Sequence, residues 1–235
     1  MKEKALEYLS RDSVLYMAMI SPIKTDSAEI IYAGAEGVFI REAESGVYML
    51  AADSFDKGKK LLDEVVRPAH ICVYRKDIAD YLYDKYGYRK YVKNLQAAYM
   101  KAEYVEITSP DLDIQPLTPE HLGFVHEYYC EHLNRDYLKD RLRRGAIYGG
   151  YLQGELCGFA GVHADGSAGI LKVIEKFRGQ GLAPKLYGAV VNILLDRGGT
   201  PFSQIEHDNE ASIGLHKKLG FEVSAEAVYR LIDLI

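Results

Sequence analysis

The 235-residue chain has no tryptophan, only three cysteines and seven prolines, and no large excess of either charge: 29 Lys and Arg face 34 Asp and Glu, a net charge of −5. Each shortage closes off a class. Cys72, Cys130 and Cys157 are far apart, odd in number and set among apolar residues, which suits reduced core thiols and a cytoplasmic protein better than a disulfide framework. Too little Gly and Pro rules out a fibrous chain, and the mildly acidic balance argues against sequence-independent nucleic-acid binding, which draws on Lys and Arg. The longest uncharged runs, 13–23 and 145–154, are about half of the roughly 20 residues that a membrane-spanning helix needs. Glu3, Glu7, Arg11 and Asp12 occupy the stretch where a signal peptide would be apolar, so the start reads as a mature helix and no membrane contact is expected.

What is present is a hydrophobic fraction of 48%, enough for a buried core, at a length that allows one large domain or two of roughly 100 to 130 residues. Helical spacing of Leu6, Leu9, Leu15 and Met19 predicts one or two N-terminal helices ending before Ser21-Pro22. Short β-branched runs at 29–33, 38–41 and 47–51, separated by Gly34, Gly37 and Gly46, predict an antiparallel meander. Then come a helix capped by Asp53-Ser54 and running to Val66, a strand at 69–74, a helix at 77–86 and an extended segment at 97–107. Turn chemistry at 108–113 marks a linker. The same βα order resumes beyond it, with a strand at 113–117, two helices, strands at 146–152, 156–163 and 168–174, a helix at 182–197, a strand at 202–206, a helix at 209–219 and two extended stretches in 221–234. The expected fold is α+β in three layers: a mixed, mostly antiparallel sheet flanked by helices. The expected domains are 1–107 and 108–235. At an offset of 133 residues Leu82, Lys85 and Gly87 fall on Leu215, Lys218 and Gly220, and Tyr88 on Phe221, a faint tandem echo.

The most informative segment is a strand that turns through Arg178, Gly179, Gln180 and Gly181 into a helix at Leu182 and Ala183. Unpaired N–H groups at such a helix start, aided by its dipole, converge on anions, and glycines let the backbone approach closely. Pro184 fits the first helical turn. The spacing is not a P-loop, because Lys185 is followed by Leu186 and not by Ser or Thr, nor a dinucleotide fingerprint, because Pro184 stands where a third glycine belongs. Alone, the loop could equally be a glycine-rich surface turn without a ligand.

The pattern R-x-x-G-x-A at Arg178, Gly181 and Ala183 resembles the acyl-CoA loop of the Gcn5-related N-acetyltransferase (GNAT) superfamily. Asn209 followed by a helix through Ser212 and His216 to Leu219-Gly220-Phe221 resembles that family's second signature. The resemblance spans residues 112–235 and implies the following. The backbone of Leu171, Lys172 and Val173 would pair with the pantetheine arm. Residues Arg178 to Ala183 would hold the pyrophosphate, and Asn209 and Ser212 would face the donor from the other side of an opening between the strands at 168–174 and 202–206. Acetyl-CoA would be the donor, a small-molecule or peptide amine the acceptor, and the oxyanion would develop near the Val173 N–H. Where the family often has a Tyr acid, this chain has His216, an acid or a packing residue; the base would be water, none at all if the amine arrives neutral, or the nearest candidates in sequence, Glu206 and His207, which also read as a solvated strand-end carboxylate and a loop histidine.

The departures leave room for a catalytically inactive acyl-CoA sensor or scaffold, and a nucleotide-binding protein is a third reading. No metal site is expected: His126 and Cys130 share a helix face but lack further ligands. Arg135, Lys139, Arg141, Arg143 and Arg144, interleaved with Asp136 and Asp140, read as a solvated face, while Tyr128, Tyr148 and Tyr151 are candidates to line an acceptor pocket. Asp53 and Asp56 at the first domain's helix start would repel a pyrophosphate, so that half reads as a degenerate GNAT-like domain or an unrelated α+β domain. A homodimer is left open.

Overall fold

Glycine punctuation and β-branched runs shape the N-terminal meander as expected: β1 (Ala28–Gly34), β2 (Gly37–Glu42) and β3 (Tyr48–Ala52) pair antiparallel. The computed structural model describes residues 1–63, 65, 67–107, 111–129 and 134–233. Ser54 caps α3 (Phe55–Leu62) by accepting the Lys57 N–H at 3.3 Å; the helix ends at Leu62, and Val66 lies outside the described residues. The chain then adds β4 (His70–Val73) parallel to β3, α4 (Lys76–Tyr86) and β5 (Lys90–Ala98).

Two N-terminal expectations need correction. The helix that follows α1 (Lys2–Leu9) does not stop before Pro22: α2 spans Met17–Lys24 with the proline inside it. Proline removes one helical hydrogen bond, but six of the eight α2 residues are buried against the sheet. At about 1.5–3 kcal/mol for each large apolar side chain, that burial outweighs the loss. Residues 99–107 are not extended strand. They run along α7 (Leu182–Asp196), where Asn192 clamps Val105 by accepting its N–H at 2.8 Å and donating to its carbonyl at 2.9 Å.

The second half supplies β6 (Leu112–Pro116), α5 (Leu122–Tyr129), α6 (Arg135–Arg143), β7 (Ile147–Leu152), β8 (Glu155–Val162) and β9 (Ala168–Val173), then α7, β10 (Phe202–Glu206), α8 (Glu210–Lys218) and β11 (Glu222–Ile232). Positions 108–110 of the expected linker lie outside the described residues. Strands β6-β7-β8-β9 form one antiparallel sheet, and β1-β2-β3-β4-β11-β5-β10 form a seven-stranded one. The fold class is therefore mixed α+β, with mostly antiparallel sheets flanked by helices. β11 is one strand instead of two, bulged between Val223 and Ala227, where the Ser224 hydroxyl accepts the Gln96 N–H at 3.0 Å.

The chain gathers into two compact units, and they do not follow a 107/108 boundary. The first holds Met1–Ala98, Phe202–His216 and Phe221–Ile235; the second holds Tyr99–Pro201 and Lys217–Gly220. In the first unit, one sheet face packs on α1 and α2 through Leu9, Met19, Ile23, Ile40 and Val228, and the other on α3 and α4 through Phe39, Leu50, Ile78 and Leu82. In the second unit the core includes Leu117, Val125, Leu138, Phe159 and Ile170.

The faint sequence echo is plain in the elements. At the 133-residue offset β4, α4 and β5 fall on β10, α8 and β11, and the glycines after the two helices, Gly87 and Gly220, both have positive φ, +63° and +90°. The run β4-β11-β5-β10 also reads the same when the halves are exchanged, because the central pairs Asn94–Val228 and Leu95–Ala227 map onto each other. Each half thus lends its last strand to lie beside the other's preceding strand.

Cys72 and Cys157 are buried; burial pushes the Cys157 thiol up, and its Sγ donates to the Gly150 carbonyl at 3.1 Å. Cys130 is outside the described residues. Among the described residues no helix is long and apolar enough to cross a membrane.

Candidate functional site

In the second unit, β9 is the outer strand of its sheet, paired among the described residues with β8 on one side only. Its register against β8 shifts between Phe159 and Gly161, and Ile170 sits at the shift with φ +51°. A β-branched residue rarely adopts that conformation, which costs of order 1–3 kcal/mol. The side chain is 1% exposed within the core around Phe159, and this burial holds the strained backbone in place. Beyond the bulge Leu171, Lys172 and Val173 are half-buried along the outer edge, the placement expected for residues that pair with an extended ligand.

The chain then makes one turn of 3-10 helix, Glu175–Phe177, and reaches the glycine loop. Gly179 and Gly181 have φ of +79° and +68°, and a Cβ at either would meet nothing within 4 Å. Backbone conformation therefore demands these glycines, and the bend is open. Arg178, Gly179, Gln180 and Gly181 are exposed; Arg178 pairs with Glu175 at 3.2 Å. Among the described residues no side chain caps α7, so the N–H groups of its first turn, at Leu182 and Ala183, are those a helix leaves without an intrahelical partner. Two features fix the helix against the sheet. The Tyr187 hydroxyl donates to the Ala168 carbonyl of β9 at 3.1 Å. Leu186 lies so close to β7 and β8 that a Cβ on Gly150 or Gly158 would come within 2.5 Å or 2.9 Å of it.

The remaining expected residues lie in the first unit, along β10 and α8. Glu206 ends β10 and is exposed, and so is His207. Asn209 sits before α8, its Oδ1 accepting the Ser212 N–H at 3.0 Å, so its side chain caps the helix. His216 is 3% exposed, lies edge-on to Phe221 at 5.0 Å, and donates from Nδ1 to the Ser212 carbonyl at 2.7 Å. Burial holds its pKa below the ordinary value of 6.5, so the ring is neutral at pH 7. A neutral imidazole with its proton committed to a carbonyl is a poor acid, and the packing alternative gains from this geometry.

Other candidates resolve individually. The Tyr148 hydroxyl accepts from Arg197 at 2.7 Å, Tyr151 bonds His121 at 3.2 Å, and Tyr128 packs on Phe124. The basic helix is not wholly solvated: Arg141 turns inward at 4% exposure and pairs with Asp140 at 2.5 Å, which lowers that carboxyl's pKa. Asp53 is engaged by the Tyr8 hydroxyl at 2.7 Å and by Arg11 at 3.3 Å. The Ile170 bulge had no signal in the sequence, because an isoleucine announces no positive φ.

Comparison with known proteins bears on the same residues. The family model described as FR47-like protein matches residues 146–231, which include the glycine loop and α8. The chain is 35% identical over 57 residues to N-alpha-acetyltransferase 30 of Schizosaccharomyces pombe; the match takes in 24% of this chain and 38% of that protein, well under half of the relative's length. Among solved structures, a Drosophila protein superposes with a TM-score of 0.65 at 14% identity, over 99% of this chain and 96% of its own. A GCN5-related N-acetyltransferase-like protein from Streptococcus suis gives 0.52 at 15% identity, over 97% and 99%. An acetyltransferase of the GNAT family from Colwellia psychrerythraea gives 0.53 at 17%, over 97% of both. Identities this low speak to the fold alone. With the matched family model, they establish that the chain has the GNAT fold and carries an FR47-like, GNAT-type domain over residues 146–231.

Proposed function

We propose that the chain is a cytoplasmic acyl-CoA-dependent N-acyltransferase, with acetyl-CoA as donor and a primary amine of a small molecule or peptide as acceptor. The observation that carries this reading is the start of α7: an uncapped helix entered through two glycines of positive φ, open to solvent and flanked by Arg178. Those N–H groups and the guanidinium suit a diphosphate. The outer edge of β9 at Leu171, Lys172 and Val173 offers backbone partners to the amides of the pantetheine arm. The thioester supplies an activated acyl carbon. The neutral amine attacks it, the Val173 N–H stabilises the charge developing on the carbonyl oxygen, and the amine sheds its proton to water. The thiolate, with a pKa of about 8.5, leaves with little assistance, so His216 acts as a positioning residue that holds the first turns of α8. The N-terminal half is a degenerate GNAT-like repeat that binds no coenzyme.

Arg178→Glu tests the donor loop. Acetyl-CoA affinity should fall about tenfold or more at unchanged melting temperature, because a carboxylate replaces the cation facing the phosphates; unaltered affinity overturns the assignment. The neutral, carbonyl-bound His216 favours a second reading, an acyl-CoA sensor without turnover. Thiol release across a panel of primary amines separates the two: tight acetyl-CoA binding without amine-dependent thiol would favour the sensor.

A further inference from the structure

Lys172 stands on β9, the outer strand of its sheet, directly before Val173. Its cross-strand partner on β8 is Phe159, and that of Val173 is Gly158. Cross-strand partners share a face, while neighbours along a strand point to opposite ones. Val173 therefore lies on the α7 face, where a Cβ on Gly158 would come within 2.9 Å of Leu186. Lys172 lies on the α5 face with Phe159, whose ring meets those of Phe124 and Tyr129 in α5 at centroid distances of 6.3 Å and 6.1 Å.

What sets this lysine apart is the lack of a counter-charge. The next two cations along the chain are both paired, Lys176 with Glu155 and Arg178 with Glu175. Lys172 is half-buried, yet among the described residues its ammonium has no hydrogen-bond or ion-pair partner. An ammonium that gives up part of its hydration and gains no partner is costly, so the position suits an anion that arrives from outside the chain. The geometry of the strand says where that anion would be. An extended donor paired with the outer edge of β9 lies in the plane of the sheet, and α7 covers one side of that plane. A substituent that leaves the plane near Val173 turns to the other side, where the Lys172 side chain stands.

We propose that Lys172 is a specificity-determining residue that takes a carboxylate carried close to the point of acyl transfer, either by the acceptor amine or by the acyl group. This rests on the acyltransferase reading above. An ammonium–carboxylate hydrogen bond is among the stronger ones, and on this half-buried face it is less screened than at an open surface, so it discriminates against an uncharged substrate of the same length.

The test pairs 4-aminobutyrate with n-butylamine as acceptors from acetyl-CoA, and succinyl-CoA with butyryl-CoA as donors to n-butylamine, in the parent, Lys172→Met and Lys172→Glu. In at least one arm the parent should prefer the carboxylated member. In Lys172→Met, kcat/KM for that member should fall about tenfold or more while its uncharged counterpart stays within about twofold, and Lys172→Glu should lower it further. The arm that responds names the carrier of the carboxylate. No preference in either arm of the parent, or equal losses for both members of a pair in Lys172→Met, overturns the proposal. Thiol release that no amine accelerates sinks the acyltransferase reading by itself. Calorimetric affinities for succinyl-CoA and butyryl-CoA, and NMR titration of 4-aminobutyrate and n-butylamine into the coenzyme A-saturated protein, then decide for Lys172: carboxylate-dependent binding lost in Lys172→Met supports the proposal, and binding to the parent that ignores the carboxylate overturns it.

Discussion

His216 invites an acid role because a histidine ordinarily titrates near neutrality, but what it does depends on its surroundings. Burial lowers its folded pKa, so the unfolded chain binds the proton first as pH falls. Its contribution to stability is complete above its ordinary value of 6.5 and is lost as pH drops from there toward the folded pKa. Urea midpoints at about pH 8, 6.5 and 5 should therefore fall in the parent and fall less in His216→Gln, while the turnover of that variant stays near parental across neutral pH. Equal slopes would remove the buried neutral ring from the account. Residue type was informative where chemistry leaves few choices. Gly179 and Gly181 are legible because only glycine enters positive φ without strain, and Arg178 because a permanent cation beside a helix start suits an anion. Ile170 and Arg141 were not legible, since one owes its conformation and the other its inward turn to packing around it.

Element by element, local periodicity and glycine placement located the meander, the Ser54 cap and α7, since each depends on neighbours close in sequence. They misplaced the end of α2 because tertiary burial overrode proline. The close seating of α7 on its sheet depends on missing side chains: at Gly158 a Cβ would approach the Lys172 carbonyl to 2.5 Å and the Val173 Cα to 3.2 Å. Backbone cannot step aside as a flexible side chain can. Gly158→Ala should thus push β9 away, lowering stability by about 1–3 kcal/mol and weakening acetyl-CoA binding with it. Thermal unfolding and calorimetric titration would check both; a normal melting temperature with normal affinity would mean that β9 can shift at no cost.

At the scale of the molecule, the strand exchange β4-β11-β5-β10 defeats reading by halves. A linker could be seen at 108–113 because composition changes there, but nothing local says that β5 will pair with strands more than a hundred residues away. Fragments 1–107 and 108–235 should each fail to give cooperative unfolding alone, and should recover it, with acetyl-CoA binding, when refolded together. Independent folding of either fragment would show the exchange to be dispensable. The order of synthesis sharpens the point. β5 is complete at residue 98, while β11, which must slide in between it and β4, begins only at residue 222. At about 5–20 residues per second, the nascent chain carries two bare strand margins on the ribosome for on the order of ten seconds. For that interval it offers a template for cross-chain pairing, so its yield in the cell should depend on how quickly translation crosses that gap and on what shields those margins meanwhile.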